Sequence, residues 1–228
     1  DRLKALVDTR EQLLHNIAHE LRSPLARLRL AAELARRKDE RQDLQLDRIE
    51  RECERLDALI GNTLRLARLG ALPVPTETLD LAEIVSDVVE DARYEAGGRQ
   101  VRIEWWQPAP VPLVGDRCSL ASAIENVLRN ALRFAPAHSA IRVRLQSNQR
   151  EASLDIEDRG PGVAAEELAC LFEPFYRTAS GARKPGSGAG LGLSIAQAAV
   201  AAHKGRMSAR NLSPQGLGVR LELPRLPA

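Results

Sequence analysis

The chain has 228 residues, of which 44% are hydrophobic and 28% charged, with a formal net charge of +2. That length can bury a sizeable core and leaves room for two modest domains. A charge so near balance excludes the basic footprint of a nucleic-acid binder, and the arginines alternate with Glu and Asp as on solvated helix faces. Cys53, Cys118 and Cys170 form no C-x-x-C pair and are expected to be reduced and buried, in a reducing compartment, and not to ligate metal. The most apolar stretch, Leu191 to Ala202, carries Ser194 and Gln197 and is too short to span a bilayer. No signal peptide is recognised. The sequence opens in what reads as mid-helix, with Leu3, Leu6 and Val7, so an upstream segment is expected to be missing.

Residues 1–70 read as a helical hairpin. Val7, Leu14, Leu21, Leu28 and Ala35 recur every seven residues, with Ile17, Pro24 and Ala31 between them. Leu46, Ile49, Cys53, Leu56, Ile60, Thr63 and Ala67 repeat the pattern after a polar turn at Arg37–Gln42. Leu13, Leu25, Leu59, Leu64 and Leu66 widen both stripes beyond a two-stranded seam. A lone hairpin would leave that width exposed, and each fully buried Leu contributes about 1.5–3 kcal/mol. Two hairpins forming a four-helix bundle, hence a homodimer, would cover it. The alternative is a hairpin packed on its own C-terminal domain.

A stiff linker is predicted over 71–79, around Leu72-Pro73-Val74-Pro75. Within the domain expected over 80–228, Asp80 and Glu83 read as a capping box for a helix to about Gly97. Strands are predicted at Val101–Gln107 and Val111–Val114, and Asp116 caps the next helix. Further strands follow at Ile141–Ser147 and Ala152–Glu157, then a long Gly/Pro/Ser segment from Arg159 to Ala189. A helix over Leu191–His203 and strands near Met207–Asn211 and Val219–Leu223 complete it. The fold class is α + α/β, the second part being a two-layer sandwich with one sheet covered by helices on one face.

Two sets of residues carry the chemistry. HELRSPL (His19 to Leu25) lies on the first helix, and the heptad places His19 opposite the seam, facing water, with Arg22, Ser23 and Ala26 on the same face. Pro24 inside the helix costs about 3 kcal/mol, and a kink accepted beside an exposed histidine points to function. Far downstream, IENVLRNALRFAP (Ile124 to Pro136) sets Asn126 and Asn130 at i and i+4, with Arg133 and Phe134 a turn further on. An amide pair beside a cation suits a hydrated Mg2+ that bridges phosphates. DRGPG (Asp158 to Gly162) and GAGLGL (Gly188 to Leu193) are weak alone, although glycines opening a helix can cradle phosphate. Their order and spacing make the combination specific.

These runs, with LFEPFYR (Leu171 to Arg177), resemble the H, N, F, G1 and G2 boxes of sensor histidine kinases, and the resemblance covers essentially the whole chain. It implies a dimerisation and phosphotransfer hairpin, then an ATP-binding domain of the histidine kinase, gyrase and chaperone type. It also implies that His19 is phosphorylated by ATP with Glu20 as general base, and that the phosphoryl group passes to an aspartate of a response regulator receiver domain. Ser23 stands where the family often has Thr or Asn, orienting a water for phosphatase chemistry. By the same resemblance Asp158 accepts from the adenine amino group and Asn130 ligates Mg2+. Asn126 and Arg133 touch phosphate or metal, Phe134 and Leu191 border the nucleotide, and Gly160, Gly162, Gly188, Gly190 and Gly192 let the backbone approach it. Arg159 to Ala189 would be the ATP lid, from which Arg183 and Lys184 reach the phosphates. The expected setting is the cytoplasmic part of an inner-membrane protein, attached to the membrane only through its upstream segment. The rival readings are a catalytically silent ATP-binding module and an ATPase of the same superfamily.

Overall fold

The computed structural model describes residues 2–35, 42–69, 77–106, 109–178 and 189–225; the expected interhelical turn and the Leu72–Pro75 linker lie outside them. The chain divides into two compact units, Asp1–Arg65 and Leu66–Ala228.

The first unit holds α1 (Arg2–Ala35) and most of α2 (Gln42–Leu69). Pro24 is buried inside α1, which runs on past it. Ala31 and Leu59 are buried, and Leu21, Leu28, Ile49, Leu56 and Thr63 are half-buried. The most enclosed polar group is Glu52, whose carboxylate takes both arms of Arg27 at 3.0 Å and Arg55 at 2.6 Å. Burial pushes the Glu52 carboxyl up, but the hydrogen bond and charge of Arg27, then those of Arg55, outweigh it and hold the group below its ordinary value. The row Leu46, Cys53, Ile60 and Ala67, expected in the seam, is exposed. It points away from the partner helix of the same chain, as do Leu25, Leu30 and Leu64.

In the second unit β1 (Glu77–Asp80) leads into α3 (Leu81–Gly98), β2 (Arg102–Trp105), β3 (Pro112–Gly115) and α4 (Arg117–Phe134). β4 (Ala140–Ser147) and β5 (Glu151–Glu157) follow. Two 3-10 turns, Ala165–Glu167 and Ala169–Phe172, precede α5 (Gly192–Ala202), β6 (Arg206–Asn211) and β7 (Leu217–Pro224). The strands form two sheets where one was expected: a β1–β3 antiparallel ribbon and a five-stranded sheet ordered β2-β4-β5-β7-β6, parallel only between β2 and β4.

Alternation sorts the large sheet into two faces. Ile141, Val143, Leu145, Leu154, Ile156, Val219 and Leu221 point inward against α3, α4 and α5, where Val85, Val89, Leu120, Val127, Leu128, Ala196 and Val200 complete the core. The opposite face is laced with ion pairs, among them Arg142–Glu104, Arg144–Glu157 and the two-bond Arg220–Asp155 pair. Asp116 caps α4 by accepting from the Ser119 N–H at 2.8 Å, as the sequence predicts. Asp80 caps α3 too, but Glu83 does not close the predicted box: its carboxylate faces Arg117 at 3.5 Å. The cysteines depart from expectation, since Cys53 and Cys118 are exposed and Cys170 half-exposed.

The Glu52 cluster makes the helical unit sensitive to acid. A carboxyl held below its ordinary value in the fold stabilises it above the unfolded-state value of about 4.3, and that contribution is lost as pH falls through the lower folded-state value. Glu52→Gln should destabilise the helical unit at neutral pH by about 1–3 kcal/mol. In denaturant titrations followed by circular dichroism, the gap from the native chain should close below about pH 4.

Candidate active site

The residues singled out near the C-terminus converge on one end of the second unit. α4 buries Ile124, Val127 and Leu128 and turns Asn126, Asn130 and Arg133 to its half-buried side. Asn126 donates its Nδ2 to the Ser122 carbonyl at 2.8 Å, which fixes the amide and leaves Oδ1 facing the start of α5. A Cβ at Gly192 would stand 3.1 Å from that oxygen. The Asn130 side chain makes no hydrogen bond to a described residue. Burial first, then the nearby Arg99 and Arg177 charges, push Arg133 below its ordinary value against the pull of Glu95. A bound anion would relieve that crowding of cations.

β5 ends at the second wall. Asp158 is 3% exposed, and its Oδ1 accepts from the Gly160 N–H at 2.7 Å and the Leu217 N–H at 3.2 Å. The Phe134 carbonyl oxygen lies 2.9 Å from where a Cβ of Gly160 would sit, so α4 and the loop after β5 touch there. Gly162 adopts φ +70, and the Asn211 amide clasps the next residue, accepting from Val163 N at 3.0 Å and donating to Val163 O at 2.7 Å.

The glycine turn before α5 forms the third wall. Gly190 has φ +75, and a Cβ there would stand 2.7 Å from the Tyr176 carbonyl oxygen, so only glycine fits against the Phe175–Tyr176 backbone. Leu191 is buried: its side chain anchors the turn, while its carbonyl takes the Ser194 hydroxyl at 2.9 Å. α5 has no side-chain N-cap, so its first N–H groups offer themselves to an anion. Lys184, Arg183 and Gly188 lie outside the described residues.

The donor set fits Mg-ATP. Backbone amides at an uncapped helix start suit phosphates, and a buried carboxyl suits an amino group. Among the described residues no group of three or more His, Cys, Asp or Glu could hold a metal. A metal here would draw on the amide oxygens of Asn130 and Asn126, on phosphate and on water.

In the first unit, His19 lies within α1 and its side chain is outside the described residues. Glu20 is half-buried; Arg22, Ser23 and Ala26 are exposed, as the heptad requires. Ser23 Oγ accepts from Arg27 Nη1 at 2.5 Å, so the Glu52 cluster reaches the residue one turn after His19. Sequence reasoning missed Arg27, Glu52 and Asn211, because each acts across elements distant in the chain. The one signal available was an acidic residue inside an apolar stripe at Glu52.

Residues 9–72 match the family model of the His Kinase A (phospho-acceptor) domain. Residues 115–227 match that of the histidine kinase-, DNA gyrase B-, and HSP90-like ATPase, a domain that binds ATP. The sensor histidine kinase CpxA of Escherichia coli strain K12 is 35% identical over 225 residues, 97% of this chain and 48% of CpxA. The chain thus spans about half the length of the curated relatives it matches. The structure of a mycobacterial sensor histidine kinase, MprB, is 32% identical with a TM-score of 0.59, covering 67% of this chain and all of that one. The histidine kinase ThkA, solved in complex with the response regulator protein TrrA, shares the fold at 17% identity and a TM-score of 0.79, covering 99% of this chain and 66% of that one. With phospho-acceptor helices followed by the ATPase domain, and with relatives of this kind along nearly its whole length, the chain belongs to the sensor histidine kinases.

Proposed function

We propose that this chain is the catalytic core of a sensor histidine kinase, in which ATP phosphorylates His19 and the phosphoryl group passes to an aspartate of a response regulator. Residues 1–70 act as the phosphotransfer hairpin, 71–79 as linker and 80–228 as the ATP-binding domain. The observation that carries the reading is the convergence of Asn126, Asn130, Arg133, Asp158 and the Gly190–Gly192 turn on one end of the sheet, in a chain that also carries His19-Glu20 on a helix.

Asp158 holds the adenine amino group, with Gly160 and Gly162 letting the base lie close. Asn130 and Asn126 present amide oxygens, the first N–H groups of α5 take phosphate oxygens, and Arg133 balances their charge. Magnesium, when bound with ATP, would neutralise the phosphates. Glu20 accepts a proton from the His19 imidazole, whose nitrogen bonds the γ-phosphorus as ADP leaves. Ser23, oriented by Arg27, would place a water for dephosphorylation of the regulator. The ThkA–TrrA complex supports a receiver domain as partner. The exposed row Leu46, Cys53 and Ile60 supports a homodimer through the helices. No helix among the described residues is long and apolar enough to cross a membrane. The resemblance to sensor histidine kinases supports a cytoplasmic place for this core, beneath an inner-membrane anchor.

Asn130→Ala should abolish Mg-dependent ATP binding in calorimetry while light scattering still finds the dimer. Leu46→Asp with Ile60→Asp should give monomers that keep their helical content, since each puts a charge where the second copy would pack, at a cost of several kcal/mol; an unchanged dimer would place the contact elsewhere. His19→Gln should leave ATP affinity unchanged and eliminate labelling from γ-labelled ATP. In the native chain the label should be lost in acid and survive base, as a phosphoramidate does. Normal labelling of His19→Gln would make another residue the nucleophile.

A further inference from the structure

His203 is the one buried histidine among the described residues, and no step above uses it. It closes the C-terminal end of α5, and both ring nitrogens are engaged. Nδ1 lies 2.7 Å from the Ala199 carbonyl oxygen, so it must donate there; Nε2 accepts the Asp116 N–H at 2.9 Å. Only the neutral imidazole with its proton on Nδ1 makes both bonds. The ring lies so close to the chain at Gly115 that a Cβ there would stand 2.7 Å from Cδ2 and 2.9 Å from Nε2. Gly115 ends β3 and Asp116 caps α4, so the imidazole ties the end of α5 to the start of α4.

The two helices run antiparallel, since α5 meets α4 again at its other end, where Gly192 lies against Asn126. From Asp116 to Asn126 along α4 the span is about 15 Å, and from His203 back to Gly192 along α5 about 16 Å, at 1.5 Å per residue. A slip of α5 along α4 at the His203 end therefore appears undiminished at the phosphate end. Side-chain ridges seated in grooves resist such a slip along the length of the helices, and a directional bond at one end fixes the register there. The Asp116 N–H to Nε2 bond is directional and part-buried, and its acceptor ring is enclosed, so losing it leaves a polar atom with little access to water.

We infer that His203 is a positioning residue that sets the register of the Gly190–Gly192 turn against Asn126 and Asn130, through a neutral imidazole bridging α5 to the cap of α4. The inference rests on the nucleotide-binding reading of this site. His203 touches no nucleotide; it acts at a distance, by fixing two helices that do.

The test compares three variants of the whole chain by calorimetry with Mg-ATP and with adenosine. His203→Gln places Oε1 where Nε2 stands and can still accept the Asp116 N–H. His203→Asn can still donate to Ala199 and close the helix, but is too short to reach Asp116. His203→Ala loses both bonds. Asn and Ala should weaken Mg-ATP binding about tenfold, the affinity equivalent of one hydrogen bond, while Gln stays within about threefold of the native chain. Adenosine, read at Asp158 and not at the phosphate end, should bind all three equally. Heteronuclear NMR of the native imidazole should show the proton on Nδ1 and none on Nε2 at neutral pH. Asn binding Mg-ATP as well as the native chain would reduce His203 to a helix terminator and overturn the inference. Gln as weak as Ala, or a proton found on Nε2, would overturn it equally. A native chain without affinity for Mg-ATP would overturn the nucleotide reading, and the inference with it.

Discussion

A carboxyl group withdrawn from water needs partners, and leaving it without them costs roughly 1–3 kcal/mol or more. Asp158 sits almost wholly buried at the end of β5, and the chain bends to supply donors: the Gly160 N–H from the loop that follows and the Leu217 N–H from the first residue of β7. Those two bonds hold the loop and the neighbouring strand to one side chain. Gly216, at φ +125, lies against the Asp158 carbonyl oxygen so closely that a Cβ would collide with it. This end of the sheet is therefore built around Asp158, and the Asn211 clasp on Val163 extends the same frame outward.

The helical unit answers the same problem with charge. Glu52 occupies a position where the apolar stripe calls for a hydrophobe, and two arginines make that tolerable. A buried ion pair is weak evidence of net stability, because desolvation offsets much of the attraction. Its geometry is what it contributes: two parallel bonds from one guanidinium fix Arg27, and Arg27 in turn fixes Ser23.

Much of this was legible in the sequence, wherever a local rule decides. Heptad spacing located both long helices, and the Asp116 cap and the Asn126–Asn130 spacing located α4 with its polar side. Where a distant residue competes, local rules misled. Glu83 was read as half of a capping box, yet Arg117, which also binds Asp87 at 2.6 Å, draws its carboxylate away. The strand at Glu77–Asp80 has no alternating pattern and exists only because β3 pairs with it. The row spaced by seven from Leu46 is expected in the core of a four-helix bundle of two hairpins, and in the single chain it is exposed; a 3.5-residue period gives the spacing of a stripe but not which neighbour covers it. The cysteines were expected inside on their general tendency, and the helix faces they occupy placed two of them in water. At His203 no local signal exists, since its meaning depends on Asp116, far away in the chain.

The sheet order leaves β2 and β6 as edges. β2 is four residues long, and β6 carries Arg206 and Arg210, both mostly exposed, whose guanidiniums reach back over the sheet face to Glu222 and Glu157. Short strands and charged side chains on the edge strand are how sheets refuse an incoming strand from another chain. The ATPase unit is thus poor at self-association through its backbone, whereas the helical unit leaves leucines and an isoleucine uncovered. The two units therefore differ in stickiness: one guards its strand edges with charge, and the other leaves apolar side chains in water.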